Sequence, residues 1–452
     1  MIRDQLLGQL AARAESEKPL RVGLIGAGKF GTMFLSQARR LPGLHMLGIA
    51  DLSNKQVYNA LTLAGWPKEQ FAAKNFSDAL KAGSTFITQD AESLIRADGL
   101  GVIIEATGIP AAGIKHALMA FDHGIHVVMV NVEADALAGP LLAEHAKTKR
   151  CLYSLAYGDQ PALICELIEW ARVSGFDVIC AGKGTKYLPI YHSSTPDSVW
   201  HHYGFSQEQV TKGDFNPKMF NSFLDGTKSA IEMAVVANAT GLLPQPEGLR
   251  FPPCGVDDIP NVCRPKSEGG QLSHKGTVEV LSSLERDGRP VYRDLRWGVY
   301  VTIEAPNDYV SRCFAEYGMR TDDTGRYAAM YKPFHLIGLE LTVSVLKVGL
   351  RNEVTGSTGE FNADALATAK RDLKAGEILD GEGGYCVYGK LIPAKQSLSM
   401  GALPIGLAHN VKLKNKIEKD QIVRWIDIEY DETDFVVNFR RKMEKEWLPL
   451  KF

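Results

Sequence analysis

The sequence predicts an α/β protein whose N-terminal part is a doubly wound, parallel sheet. Three observations carry this. Short runs of aliphatic and β-branched residues alternate with helical stretches from Leu20 to about Cys180. Most of these runs are continuously apolar, as strands covered on both faces must be. A glycine triplet, Gly26, Gly28 and Gly31, follows the first run and opens the first helical stretch.

Residues 1–18 read as a short amphipathic helix, with Leu6, Leu7 and Leu10 on one stripe. The strands are then LRVGLI (20–25), HMLGIA (45–50), TFIT (85–88), GVIIEA (101–106), HVVMV (126–130), CLYSLA (151–156) and DVICA (177–181). Between them lie helical segments such as FGTMFLSQARRL and PAAGIKHALMAF. This alternation is the pattern of a doubly wound sheet. Beyond Ala181 the composition turns to Gly, Ser, Thr, His and Tyr, and an irregular, pocket-lining segment is expected. A long helix over 218–240, strand-like pieces GTVEVLSSL and WGVYVTIEA, and a helix over 333–350 complete an α+β middle region. After Gly356, short strands, glycine turns and many charges predict a small β-rich domain. The expected division is 1–165, 166–355 and 356–452.

Composition narrows the function classes. A chain of 452 residues, 45% hydrophobic and 23% charged, is an ordinary globular protein of two or three domains. A net charge of -2 excludes a broad nucleic-acid surface, which needs a basic excess. No apolar run reaches the roughly 18 residues of a membrane span, and the charged N-terminus is no secretory signal. A cytoplasmic location is expected. The seven cysteines include no C-x-x-C pair, the pattern of reduced thiols. Cys254, Cys263 and His274 match no common zinc spacing.

The segment V-G-L-I-G-A-G-K-F-G (22–31) sits between a strand and a helix, which is the context a dinucleotide motif requires. Gly26 permits the tight turn. Gly28 lets backbone approach a pyrophosphate, and Gly31 lets helix and strand pack closely. Lys29 and Phe30 lie inside the motif. The helix N-terminus supplies N–H donors and partial positive charge. Asp51 ends the second strand, twenty residues past Gly31, where a carboxylate can accept from the adenosine ribose. The N-terminal region is thus expected to be a Rossmann domain. Asp51 favours NAD; Lys55 with Ser53 and Asn54 lies near enough in sequence to take a 2′-phosphate, so the choice stays open. Thr107 and Gly108, in the turn after a later strand, and Asn131, at the end of the next, are expected at the nicotinamide side of the crevice. Glu133 either shares that crevice or serves the helix dipole. Asp159 reads foremost as a helix N-cap.

In the middle region Asn221, Asp225, Lys228 and Glu232 are spaced 4, 3 and 4 apart, which puts them on one face of a helix. The rest of that segment is apolar, so the stripe is expected to line a cavity. A second cluster, Lys183, Lys186, His192, Ser193 and Ser194, has the groups to hold a phosphate or carboxylate. A third, weaker set is Arg312, Arg320, Tyr331, Lys332 and His335.

The runs I-E-A-T-G (104–108), V-N-V-E-A-D (130–135), Y-G-D-Q-P-A (157–162) and A-G-K-G-T-K (181–186) resemble the homoserine-dehydrogenase-like oxidoreductases, and more closely their DXR-like (DRL) subgroup. That resemblance implies NADPH-dependent conversion of 1-deoxy-D-xylulose 5-phosphate to 2-C-methyl-D-erythritol 4-phosphate, a step of isoprenoid precursor synthesis. NADH is the alternative cofactor. It also implies a SAF-like domain at Ala369–Asp427 and a homodimer. The subgroup's relatives carry a catalytic Asp–Lys pair on a helix; Asp225 and Lys228 correspond, at a spacing of three rather than four. The metal and phosphate motifs of the ordinary reductoisomerases are not evident. The expected mechanism places a divalent cation (Mg or Mn) at Asp225 or Glu232 to polarise the carbonyl. Lys228 and Lys186 are the basic groups of the reaction; Lys183, His192, Ser193, Ser194 and Asn221 hold the small phosphorylated substrate. Two rivals are a dehydrogenase of another hydroxy acid or polyol phosphate and a non-catalytic dinucleotide sensor.

Overall fold

The computed structural model describes residues 5–213 and 215–448. The chain divides into two units, Met1–Leu163 with His335–Gly359, and Ile164–Phe334 with Glu360–Phe452.

Six strands form the sheet of the first unit: β1 Leu20–Ile25, β2 Leu44–Ala50, β3 Phe86–Thr88, β4 Val102–Glu105, β5 His126–Met129 and β6 Tyr153–Leu155. Their order is β3-β2-β1-β4-β5-β6 and every pairing is parallel. This is the doubly wound arrangement read from the alternating pattern. The order reverses between β1 and β4, where Ile25 lies beside Glu105. Open sheets of this kind present a crevice at such a reversal, beyond the strands' carboxyl ends. The helix Leu6–Glu15 precedes the sheet; Leu10 is buried, whereas Leu7, expected on the same stripe, is exposed.

DVICA, expected as a seventh strand of this sheet, belongs elsewhere. β7 runs Asp177–Thr185 and joins β8 Leu243–Pro244, β9 Thr277–Ser282, β10 Val299–Glu304, β11 Arg320–Thr321 and β12 Tyr327–Lys332. The order is β11-β12-β10-β7-β9-β8, with β7 antiparallel to β10 and parallel to β9. Here the glycines of A-G-K-G-T are strand residues and not loop residues. A Cβ at Gly182 would fall 1.8 Å from the Glu279 carbonyl oxygen, and one at Gly184 2.0 Å from that of Leu295. Close approach of neighbouring backbone is the reason for both.

Two expected helices also differ. The segment 218–240 is two helices, Pro217–Leu224 and Thr227–Thr240, broken at Gly226, whose φ of 92° no other residue type adopts cheaply. Over 333–350 there is only a short α-turn, Thr342–Leu346, running into a π-helical turn, Lys347–Arg351. That segment returns to the first unit. Leu341, Val345, Leu346 and Val348 join Leu20, Val22, Leu24 and Phe34 in one apolar core. Polar contacts fix it as well: Tyr157 N–H donates to Ser344 Oγ (2.8 Å), and Leu155 N–H donates to the Gly356 carbonyl (2.8 Å).

The C-terminal residues belong to the second unit and do not stand apart as a third. β13 Ala363–Ala369 pairs with β15 Val387–Pro393, and β14 Ile378–Asp380 with β16 His409–Leu413 and β17 Ile428–Glu429. The β13–β15 pair packs on the helix Thr227–Thr240: Gly389 N–H donates to Thr227 Oγ1 (2.8 Å), and Asn238 Oδ1 accepts from Asn362 and Ala363 N–H. Arg440, wholly buried, pairs with Asp364 and Glu444. All seven cysteines are free thiols. Among the described residues no helix is long and apolar enough to cross a membrane.

Candidate active site

In the first unit the glycine turn has the shape its sequence predicts. Gly26 has φ 98°, and a Cβ there would fall 2.5 Å from the Ala106 carbonyl oxygen; at Gly31 it would fall 2.5 Å from that of Gly26. At Gly28, by contrast, a Cβ meets nothing within 4 Å. Gly28 is the exposed N-cap of the helix Lys29–Ala38, so its side of the turn is the open one. A diphosphate fits that surface, against unpaired N–H groups at a helix N-terminus. Asp51 is held beside the turn: Oδ2 accepts from Ala27 N–H (2.8 Å) and Oδ1 from Ser53 N–H (2.9 Å). Gln56 Nε2 donates to the Ala27 carbonyl (3.2 Å) and completes the clasp. Lys29 is exposed; Phe30 is half-buried and packs on the core.

The far wall of the crevice is a second clasp. Asn131 caps the helix Val132–Thr148 by accepting from Ala134 N–H (3.1 Å), and its amide donates to Thr107 Oγ1 (3.3 Å) and the Ile109 carbonyl (2.9 Å). Thr107 donates to Glu105 Oε1 (2.7 Å), which His116 Nδ1 also reaches (3.1 Å). Gly108 takes the left-handed turn (φ 67°) that follows. Thr107, Gly108 and Asn131 are therefore brought together; Glu105 and His116, which organise them, were not singled out from the sequence. One turn into the helix, Asp135 is wholly buried beside the hydroxyls of Tyr153 and Thr358, and burial lifts its carboxyl to about 7.

In the second unit the four-residue stripe does not form, because the Gly226 turn interrupts the helix. Asp225 ends the first helix and caps the second: its Oδ1 accepts from Thr227 N–H (2.9 Å). Its other oxygen lies 2.7 Å from Lys370 Nζ, with both side chains buried. Lys370 Nζ also donates to the carbonyls of Ser194 and Gly384 (2.8 Å each). Glu232 is paired with Lys183, again buried. Lys228 is half-buried in the first turn of the helix Thr227–Thr240. Asn221 binds Ser194 through both ends of its amide and donates to the Gly383 carbonyl (2.9 Å).

The expected anion cluster is dispersed among other partners. Lys183 is taken by Glu232, Ser194 by Asn221, and Ser193 is exposed. His192 Nδ1 lies 2.7 Å from the Asp225 carbonyl, so Nδ1 carries the hydrogen and Nε2 accepts from the Tyr187 hydroxyl (2.9 Å). Burial holds His192 below the usual imidazole value, and its ring stacks on Tyr388 (4.4 Å). Lys186 donates to the His202 carbonyl and lies over the Tyr203 ring. In the weaker set, Arg320 pairs with Asp257 and Arg312 lies over Tyr309.

A divalent cation at Asp225 or Glu232 does not fit this arrangement. Each carboxylate is buried and already neutralised by a lysine ammonium, and lysine is not a ligand for such an ion. Among the described residues no three His, Cys, Asp or Glu side chains gather as a metal site. Cys263, imagined with Cys254 and His274, instead has its Sγ 3.5 Å from the Tyr300 hydroxyl.

Two measurements follow. Lys370→Met leaves Asp225 buried without its cation, and the folding free energy should drop by about 3–5 kcal/mol in urea titration, partly restored by adding Asp225→Asn. Glu279 is the second acid lifted by burial to about 7, although Val280, Arg250 and Phe251 N–H groups and Gln245 donate to it. Asp135 and Glu279 bind protons more tightly folded than unfolded, so their contribution to stability is full at about pH 4 and is lost as pH rises to about 7. Asp135→Asn and Glu279→Gln should each remove part of that slope, by ~3 kcal/mol at most; urea midpoints of variant and parent that differ equally at both ends of the range would contradict this.

Residues 158–341 match the family described as "Oxidoreductase DRL, catalytic domain". No curated protein matches the chain in sequence. Among solved structures, the YPO2259 putative oxidoreductase from Yersinia pestis is 15% identical, over 75% of this chain and 90% of that one, with a TM-score of 0.35. Biliverdin reductase from Synechocystis sp. PCC 6803, in complex with biliverdin and NADP+, is 18% identical over 43% of this chain and 55% of its own, at 0.27. An oxidoreductase from Agrobacterium radiobacter, in complex with NAD+, L-tartaric acid and magnesium, is 14% identical over 37% and 44%, at 0.27. The chain spans about half the length of the last two. Likenesses this distant carry no argument about activity. The chain thus combines a glycine turn on a 3-2-1-4-5-6 parallel sheet with a segment similar to an oxidoreductase catalytic domain.

Proposed function

We propose that the protein is a cytoplasmic oxidoreductase that moves a hydride between a nicotinamide dinucleotide and a small, anionic hydroxy or keto substrate. The observation that carries this is the open Gly28 side of the glycine turn, with Asp51 clasped beside it. The substrate class rests on the matched segment 158–341 and on the motifs at 104–108, 130–135, 157–162 and 181–186. In its specific form the reaction is the reductoisomerisation of 1-deoxy-D-xylulose 5-phosphate, with the protein acting as a homodimer. A plain dehydrogenase of a hydroxy acid or polyol phosphate is the second reading. One observation favours it: the carboxylates a catalytic cation would need are spent on Lys183 and Lys370.

The dinucleotide, when bound, supplies or takes up the hydride. The protein must hold the proton that leaves or joins the substrate oxygen, and Lys228 is the ammonium proposed for it. Lys370 and Asp225 keep the turn before that helix in place, and the Asp225 carbonyl fixes the His192 tautomer. The C-terminal stretch, proposed as SAF-like, enters this machinery through Lys370.

The assay is cofactor oxidation read at the nicotinamide band, with deoxyxylulose phosphate and a panel of keto acids and polyol phosphates, with and without a chelator. Turnover of deoxyxylulose phosphate supports the reductoisomerase. Turnover of the panel alone supports the dehydrogenase, and dinucleotide binding with no turnover on any substrate rejects both.

Cofactor choice is a separate measurement. The resemblance implies NADPH. Asp51 argues for NADH, since a fixed carboxylate at the ribose position repels a 2′-phosphate, and Lys55 is exposed on the following helix. Fluorescence titration should show NADH binding about tenfold more tightly, a difference of ~1.4 kcal/mol, with Asp51→Ser narrowing the gap. Tighter NADPH binding by the parent protein would reverse the assignment.

A further inference from the structure

Most buried cations of the second unit have a carboxylate: Lys183 has Glu232, Arg264 has Asp322, Lys370 has Asp225 and Arg440 has Asp364. One group of half-buried basic residues, Lys186, Arg296 and His202, has no such carboxylate among the described residues. Lys186 stands just past the end of β7. Gly184, two residues before it, donates to the Gly298 carbonyl (3.1 Å), and a Cβ on Gly184 would fall 2.9 Å from Arg296 N. The turn carrying Arg296 is therefore pressed against the strand end that carries Lys186. From a third direction comes the short helix Val199–Tyr203, whose His202 carbonyl accepts from Lys186 Nζ and whose Tyr203 ring lies 5.4 Å from it. The His202 ring in turn rests on Tyr191 (5.0 Å).

Among the described residues no carboxylate pairs with Lys186 or Arg296. Asp294, the nearest in sequence, is exposed and accepts from the Arg296 backbone N–H (2.8 Å). The basic groups disfavour one another: burial and Arg296 lower Lys186, and burial, His201 and Lys186 lower His202. Gathering like charges half out of water costs free energy, and an anion seated among them removes that cost. The tyrosines add neutral donors, because burial raises Tyr191 and lifts Tyr203 to about 12.

We propose that Lys186, Arg296 and His202, with the Tyr191 and Tyr203 hydroxyls, form the seat of the substrate's phosphate. A guanidinium offers paired donors to a phosphate, and an ammonium adds a point charge. Three basic groups suit a dianion better than a single carboxylate. The seat keeps Lys186 from the expected anion cluster and replaces Lys183 and Ser194, which have other partners. It rests on the proposed function for the identity of the ligand, but its existence is measured without turnover.

The probe is inorganic phosphate, titrated calorimetrically into the full chain with NADH at saturation, so that the glycine turn does not answer. Saturable binding of one phosphate is expected, competed by sulfate and at least tenfold weaker in Lys186→Met and in Arg296→Gln. Acetate should compete poorly. No saturable binding by the parent protein, or binding unchanged in both variants, overturns the seat. If a variant does not fold, reductive methylation of the parent decides: phosphate should protect Lys186, and equal labelling with and without phosphate counts against the proposal. Phosphate binding without NADH binding would sink the oxidoreductase reading and leave the seat standing.

Discussion

The buried carboxylate of Asp225 is the constraint on which the second unit's candidate site depends. One oxygen caps the helix Thr227–Thr240, the other faces Lys370, and the residue's own carbonyl selects the His192 tautomer. Lys370 then reaches back to Ser194 and Gly384, and Asn221 ties Ser194 to Gly383. A charge buried in this way is tolerable only with a partner. The partner comes from the C-terminal stretch, so that stretch is part of the site's construction. All of this requires the chain to reverse at Gly226, where a side chain would impose strain.

The first unit was largely legible because its determinants are local. Strands buried on both faces announce themselves as apolar runs, and a glycine turn between strand and helix has few other uses. Asp51 was singled out by counting along the chain, and its carboxylate accepts from Ala27 and Ser53 N–H beside the turn. Glu105 was less visible. It ends an apolar strand, and nothing in its neighbourhood in sequence announces His116 as its partner.

The second unit was less legible because its determinants are distant. A helical spacing over 221–232 says nothing about Gly226, since glycine is tolerated in helices and only its conformation shows that the helix stops. Lys370 and Asp225 are 145 positions apart, and no pattern pairs them. Lys183 and Lys186 look alike in sequence. The fold separates them, because Lys183 lies within β7 and Lys186 just past its end: one meets Glu232 and the other the His202 carbonyl. The strand β7 was misassigned to the first sheet for a related reason, because an apolar run carries no record of which sheet it joins.

The return of His335–Gly359 to the first unit has a consequence for how the chain comes to be folded. During synthesis the N-terminal 163 residues emerge without Leu341, Val345, Leu346 and Val348, which complete their core. The whole of Ile164–Phe334 must leave the ribosome before those side chains arrive. The second unit waits in turn for Glu360–Phe452 and, within it, Lys370. Neither unit can be finished before the other has been largely made. Closing loops of such length is entropically slow, so the nascent chain is exposed as an unfinished pair for longer than two consecutive domains would be.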